Sequence, residues 1–116
     1  MNDIMVENLK KYLLDEIEGE KKSTFIYKLD KENYFDEKRL NILLKKTDFF
    51  LKNNSINDPE YIDILKGLFN VFLHTIFLFY CNNSPDDYYK IVNYDECLNS
   101  EKITNIYLRI KDVIFA

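Results

Sequence analysis

One stretch of the chain is long, apolar and free of charge, and it constrains the fold more than any other feature. Residues 67–85 include no Asp, Glu, Lys or Arg, and large apolar side chains occur nearly all the way round the helix that they would form. Asp58-Pro59-Glu60 precedes the stretch, and an acidic cap followed by proline is a typical helix start. A helix that is apolar on nearly all sides has to be buried on most of them. The sequence therefore predicts a buried central helix at about 59–81.

A membrane span is the alternative interpretation of this stretch, because its uncharged part is almost long enough to cross a bilayer. Asn70, His74 and the polar exit Asn82-Asn83-Ser84 weaken the alternative. No flanking cluster of Lys or Arg is present to orient a span. The central core helix is therefore the favoured interpretation.

Four other segments carry helical signals, either apolar residues at three- or four-residue spacing or a helix start. They cover about 3–18, 36–52, 84–93 and the residues from 100 onwards. Asp36 is the predicted N-cap of the second segment, Ser84 with Pro85 starts the third, and Ser100 starts the last. With two Gly and two Pro, the chain has too few turn residues for a β-sandwich or β-barrel. We predict an all-α fold, a compact bundle of about five helices around the central one, as a single domain over residues 1–116.

Two segments stay ambiguous between helix and strand. The apolar run at 23–29 is too short for periodicity to decide, and we favour a helix or irregular structure because no partner strand is evident. The last segment is rich in β-branched residues, which leaves a strand as its alternative.

The sequence offers little for catalysis. His74 is the single histidine and lies within the most apolar segment, so it is interpreted as a core histidine hydrogen-bonded to a neighbour. A catalytic base, a contact to a partner and a pH switch are the alternatives. No glycine-rich phosphate loop, HExxH sequence or EF-hand spacing occurs. We expect no enzymatic activity, no cofactor and no metal.

Composition suggests the origin and the compartment. Lys, Asn, Ile, Tyr and Phe make up half of the chain, as expected from A/T-rich codons, which suggests an A/T-rich bacterial genome or a mobile element. Cys81 and Cys97 form no metal-binding or redox spacing and are predicted to be reduced core thiols. The first residues show no basic or apolar leader, so we expect a cytoplasmic protein without a membrane partner.

The segment at 86–96 is unusual for a mere scaffold, because it holds four acids, three tyrosines and one base. Tyrosine is common among binding hot spots, and acids around it would steer a basic partner. The candidate partner-binding residues are Asp86, Asp87, Tyr88, Tyr89, Tyr94, Asp95 and Glu96. The alternative is that the tyrosines pack over the core while the acids only solvate the surface and cap a helix.

A net charge of −4 disfavours nucleic acid as a partner and favours a basic protein. The leading hypothesis is an immunity-type protein that neutralises a basic toxin, such as a nuclease, by occluding its active site with the acidic, tyrosine-rich surface. A second hypothesis is a helical adaptor, antitoxin or phage-encoded regulator that docks on a host protein through an apolar groove. A third is an enzyme subunit or weak nucleic-acid binder that uses the bases of the segment at 36–52, where interspersed acids dilute the field.

Overall fold

Six α-helices form the fold in the computed structural model of the chain, which describes residues 3–115. They are α1 (Asp3–Glu18), α2 (Phe25–Lys31), α3 (Glu37–Asn53), α4 (Tyr61–Asn83), α5 (Tyr94–Cys97) and α6 (Ser100–Ile114). No strand occurs among the described residues, so the all-α prediction is confirmed. The two ambiguous segments are both helical, as α2 and α6.

Helix α4 lies at the centre of the bundle and packs against α1, α2, α3 and α6. Its inward face places Ile64, Leu68 and Phe72 in the core, where they are almost fully buried. The helix begins at Tyr61, slightly later than predicted, because the residues before it form turns in which the Asp58 carboxylate accepts a hydrogen bond from Glu60 N at 2.9 Å. The predicted central helix is therefore present, with its start shifted by two residues.

One face of α4 remains open to solvent, which the sequence did not predict. Leu73, Phe77 and Tyr80 are each more than half exposed, so the expectation of burial on most sides is wrong for this face. In the most apolar 18 residues of α4, 44% are buried within the protein. By length and composition alone α4 could cross a bilayer, a criterion that the core helices of soluble proteins also meet.

A close approach of α1 to α4 depends on Gly67. A Cβ atom at this position would lie 2.7 Å from Ile17 Cγ2 and 2.8 Å from Ile17 Cδ1, closer than carbon atoms can pack. The absence of a side chain at Gly67 therefore lets Ile17 of α1 pack directly onto the backbone of α4.

A buried carboxylate joins the first three helices. Glu16 of α1 has no solvent exposure, and its side chain accepts hydrogen bonds from Arg39 Nε of α3 at 2.7 Å and from Phe25 N at 3.0 Å. Phe25 N is one of the amides at the start of α2 that have no partner within the helix, so the carboxylate also satisfies a helix terminus. This arrangement fixes α2 and α3 relative to α1.

The predicted short helix at 84–93 is wrong. These residues form turns and irregular structure, and the short helix α5 begins only at Tyr94. Side chains accept hydrogen bonds from the amides that a helix would have used: Asp87 Oδ1 from Tyr89 N at 2.8 Å, and Asn82 Oδ1 from Ile91 N at 2.7 Å. Asp87 competes with helical pairing through a local bond two residues away, and Asn82 does so from the end of α4, nine residues before Ile91, which explains why the start signal at Ser84 fails.

Candidate partner-binding surface

Residues 86–96, here called the acidic loop, connect the end of α4 to α5 and lie against the connection between α2 and α3. Val92 N donates to Asn33 O at 2.8 Å, and Asn33 Nδ2 donates to Lys90 O at 3.0 Å. Asn33 has a φ of 55°, a left-handed conformation that asparagine tolerates better than most residues. Two segments distant in the sequence are thereby joined edge to edge.

Asn93 fixes the second half of the loop. Its side-chain oxygen accepts from Phe35 N at 2.9 Å and its side-chain nitrogen donates to Phe35 O at 2.8 Å. The Asn93 side chain is buried, so both bonds form away from water. Asn93 is not among the residues predicted from the sequence, in which its only signal is an asparagine among tyrosines and acids.

Two of the three tyrosines hold the loop on the core. The Tyr89 hydroxyl donates to Leu29 O, and its pKa is raised, first by burial and then by the nearby Asp30 carboxylate. Tyr94 is partly buried and packs against the hydrophobic core. Tyr89 and Tyr94 thus agree with the alternative interpretation of the segment, in which the tyrosines pack over the core.

The only base of the loop is engaged at the end of α4. Lys90 Nζ donates to Asn82 O and to Ser84 O, both at 3.0 Å. Carbonyls at a helix C-terminus carry partial negative charge and attract cations. The Lys90 ammonium is therefore held at the helix terminus within the loop's own framework.

One of the four acids also has an internal role. The hydrogen bond from Tyr89 N lowers the pKa of Asp87, and the Cys81 thiol contributes in the same direction. Asp86, Tyr88, Asp95 and Glu96 are the predicted site residues that remain exposed. Tyr88 has the accessibility of a free side chain. The surface that a partner could meet is therefore Tyr88, with exposed carboxylates beside it and on α5, together with the exposed side chain of Val92.

His74 differs in part from its prediction. Its Nε2 atom lies 3.1 Å from Asp30 Oδ1, so the expected hydrogen bond is present, but the side chain is 40% exposed and does not lie in the core. Burial acts to raise the pKa of Asp30, while hydrogen bonds from His74 and Lys31 outweigh it and leave the pKa below its usual value.

The pair lines an open groove of about 430 Å³ between α2 and α4, where Glu18 and Glu20 also lie. Tyr27 is the one hydroxyl-bearing residue among the described residues that line this groove, and no Ser, Thr or Cys is among them. In this structure the His74–Asp30 hydrogen bond joins α4 to α2.

The cysteines lie near the acidic loop as separate thiols. Cys81 is buried, as predicted, and Cys97 is half-buried against the core. Among residues 3–115, no group of three or more His, Cys, Asp or Glu side chains is placed to hold a metal ion.

Comparisons of the chain with protein-family models, with curated proteins and with solved structures find no significant match. The function is therefore inferred from the geometry of the acidic loop and its surroundings.

Proposed function

We propose that the protein is an immunity-type inhibitor that binds a basic toxin, such as a nuclease, through the acidic loop and occludes its active site. The observation that carries the proposal is the contrast between a fully exposed Tyr88 and the firmly anchored backbone on either side of it. An inhibitor of this kind works by occlusion and requires no chemistry of its own.

The anchoring of the loop favours tight binding. Its backbone is tied to Asn33, to Asn82 and, through Asn93, to Phe35, so little conformational entropy remains to be lost on association. Tyrosine adds a large, stiff contact area with a polar tip, which makes Tyr88 suitable as the central anchor of an interface.

The charge of the loop favours a basic partner. Four acids and one base lie within residues 86–96, and the base is engaged by the carbonyls at the end of α4. The whole chain has a net charge of −4, so the long-range field has the same sign as the loop. Such a field accelerates association with a positively charged protein and opposes approach to nucleic acid.

Three of the five bases of α3 are engaged within the molecule. Arg39 is paired with the buried Glu16, and Lys52 with Asp48 at 3.1 Å. Lys46 Nζ lies 4.9 Å from the centre of the Tyr12 ring. These internal contacts weaken the alternative of a nucleic-acid binder that uses α3.

Co-expression tests the proposal. We expect the gene adjacent to that of this chain to encode a basic protein that inhibits bacterial growth, and co-expression of this chain to restore growth. An adjacent product without toxicity, or toxicity that this chain leaves unchanged, would contradict the proposal.

Charge reversal tests the site. Asp86→Lys, Asp95→Lys and Glu96→Lys together should abolish binding of the purified adjacent product in calorimetry. The control is a second triple variant with the same change in net charge at exposed acids outside the acidic loop: Glu7→Lys, Glu20→Lys and Asp112→Lys. Equal loss of binding in both variants would show that net charge, and not the acidic loop, is responsible.

A further inference from the structure

A second surface of the molecule is apolar and separate from the residues of the acidic loop. Four apolar or aromatic residues of α4 lie at three- or four-residue spacing and therefore share one stripe of the helix: Phe69, Leu73, Phe77 and Tyr80. The Phe77 and Tyr80 rings stack at 6.5 Å, and Phe69 meets Phe115, beyond the end of α6, at 5.9 Å. We call these residues, together with Tyr107 of α6, the α4–α6 face.

The two helices enclose an apolar groove within this face. It has a volume of about 220 Å³, and Leu73, Ile76, Tyr107 and Phe115 are among the residues that line it. In the described part of the chain, Lys111 is the only charged residue of its lining. The Lys111 ammonium lies 5.7 Å from the centre of the Tyr107 ring, a contact with an aromatic ring of its own helix.

The exposed area is large for a monomer. Five large side chains of this face are each between 46% and 68% exposed: Leu73, Phe77, Tyr80, Tyr107 and Phe115. At about 200 Å² for a large side chain, they present roughly 600 Å² of mostly apolar surface. The largest apolar patch of an ordinary monomer is at most about this size, and a stable interface buries about 800 Å² on each partner. The face alone supplies most of what a stable dimer needs.

Charge indicates which partner covers this face. Two copies of a chain with a net charge of −4 repel each other, and the cost of bringing them together is smallest where both surfaces are neutral. The α4 part of the face is neutral, since residues 67–85 contain no charged side chain. A basic partner gains no electrostatic attraction there, and few bases are present to attract an anionic membrane.

We propose that the α4–α6 face is the interface of a homodimer. In a two-fold dimer the same patch occurs on both subunits, so the α4 stripe of one copy packs against that of the other. The aromatic rings of one copy then enter the space beside Leu73 and Tyr107 of its partner, and no charged residue of α4 is buried in the contact.

Sedimentation equilibrium of the full chain tests this assignment. We expect wild-type protein to reach the mass of two 14.0 kDa chains at high concentration and to dissociate on dilution. Phe77→Glu would place two like charges in every dimer, and its dissociation constant should rise about tenfold or more, equivalent to about 1.4 kcal/mol. A wild-type protein that stays monomeric at every concentration would overturn the proposal.

Matched variants separate the interface from general apolar exposure. Outside the α4–α6 face, Ile4 of α1 is 72% exposed and Ile56, in the turn between α3 and α4, is 71% exposed, so Ile4→Glu and Ile56→Glu should leave the dissociation constant unchanged. Leu73→Glu is a second interface variant, and circular dichroism establishes whether each variant folds. A folded Phe77→Glu or Leu73→Glu protein that dimerises as tightly as the wild type would overturn the proposal. Monomeric wild-type protein that instead co-sediments with phosphatidylcholine vesicles would assign the face to a lipid surface.

Discussion

Asn93 and Phe35 form a reciprocal pair of hydrogen bonds, in which one side-chain amide satisfies both the N–H and the C=O of a buried backbone unit. Fifty-eight residues separate the two in sequence. Because the two hydrogen bonds run in opposite directions, as between paired strands, they fix the position of the acidic loop relative to the α2–α3 connection.

Removal of the Asn93 side chain should therefore destabilise the protein. Asn93→Ala leaves both backbone groups of Phe35 without their partner, and each buried unsatisfied group costs about 1–3 kcal/mol. We expect the free energy of unfolding in urea to fall by about 2–6 kcal/mol. Asn53→Ala is the control, because Asn53 is exposed and bonds only within its own helix, and it should change stability by less than about 0.5 kcal/mol.

The Glu16–Arg39 pair should behave as a buried ion pair. Arg39→Ala leaves the Glu16 carboxylate buried without its cation, and such a change typically costs about 3–5 kcal/mol. Glu16→Gln in the Arg39→Ala background should recover part of this loss, since it removes the unpaired charge. Lys52→Ala breaks an exposed pair with Asp48 and should cost less than about 1 kcal/mol. Similar losses for Arg39→Ala and Lys52→Ala in urea unfolding would contradict this reading of the pair.

Gly67 should be intolerant of even one methyl group. In an ordinary helix Gly→Ala stabilises by up to about 1 kcal/mol, but here the new Cβ would overlap Ile17. Because Ile17 is β-branched and three of its atoms lie near that position, overpacking should prevail and lower stability by about 1–3 kcal/mol. The double variant Gly67→Ala, Ile17→Ala removes the overlap. Thermal unfolding should show Gly67→Ala less destabilising in the Ile17→Ala background than in the wild type; strict additivity would refute the overlap.

Asp36 should contribute to acid sensitivity. Burial raises its pKa, but hydrogen bonds from Lys28 Nζ at 2.9 Å and from Arg39 N at 3.0 Å outweigh burial and lower the pKa below that of a free Asp. A carboxylate with a lowered pKa in the folded state stabilises the protein above its unfolded pKa of about 4, and this contribution is lost as pH falls through the folded pKa.

Asp36→Asn keeps an N-cap acceptor for α3 and loses only the titration and the pair with Lys28. Its melting temperature should therefore be lower than that of the wild type at neutral pH, and the difference should shrink as the pH falls below about 4. Parallel pH profiles for the two proteins would contradict this assignment.

Much of the fold could be predicted from the sequence because its signals are local. The N-cap of α3 is Asp36 as predicted, and the observed bounds of α1 and α3 agree with the pattern to within a residue or so. Caps and apolar spacing act within a few residues of one another, so a single sequence reveals them.

The open face of α4 could not be predicted in this way. Because residues 67–85 carry no charge, burial is favourable at every position, but the sequence does not show which faces of α4 are covered by other helices. In this bundle the surrounding helices cover the side that carries Leu68 and Phe72 and leave Leu73 and Phe77 uncovered. How far neighbours extend around a helix is a property of tertiary packing.

The helix predicted at 84–93 is wrong for a different reason, which lies in the acidic loop. Its conformation depends on bonds to Asn33 and Phe35, which are distant in sequence, and on side chains that compete with helical pairing. An irregular segment has no period, so nothing in the sequence distinguishes the outward Tyr88 from the inward Tyr89. Composition identified the segment as a candidate without identifying which of its residues face a partner.

The two adjacent tyrosines should therefore respond in opposite ways to substitution. Tyr89→Phe leaves Leu29 O without its donor in a partly buried position and should lower the free energy of unfolding by about 1–2 kcal/mol, while the exposed surface of the acidic loop keeps its composition. Tyr88→Ala removes a side chain that contacts mainly solvent and should change stability by less than about 0.5 kcal/mol. If Tyr88 is the anchor of the proposed interface, the same variant should weaken binding of the basic partner by about 2 kcal/mol or more. Urea unfolding gives the stability of both variants, and calorimetry gives their affinity for the partner. A Tyr88→Ala protein that binds as tightly as the wild type would show that the acidic loop is not the docking surface.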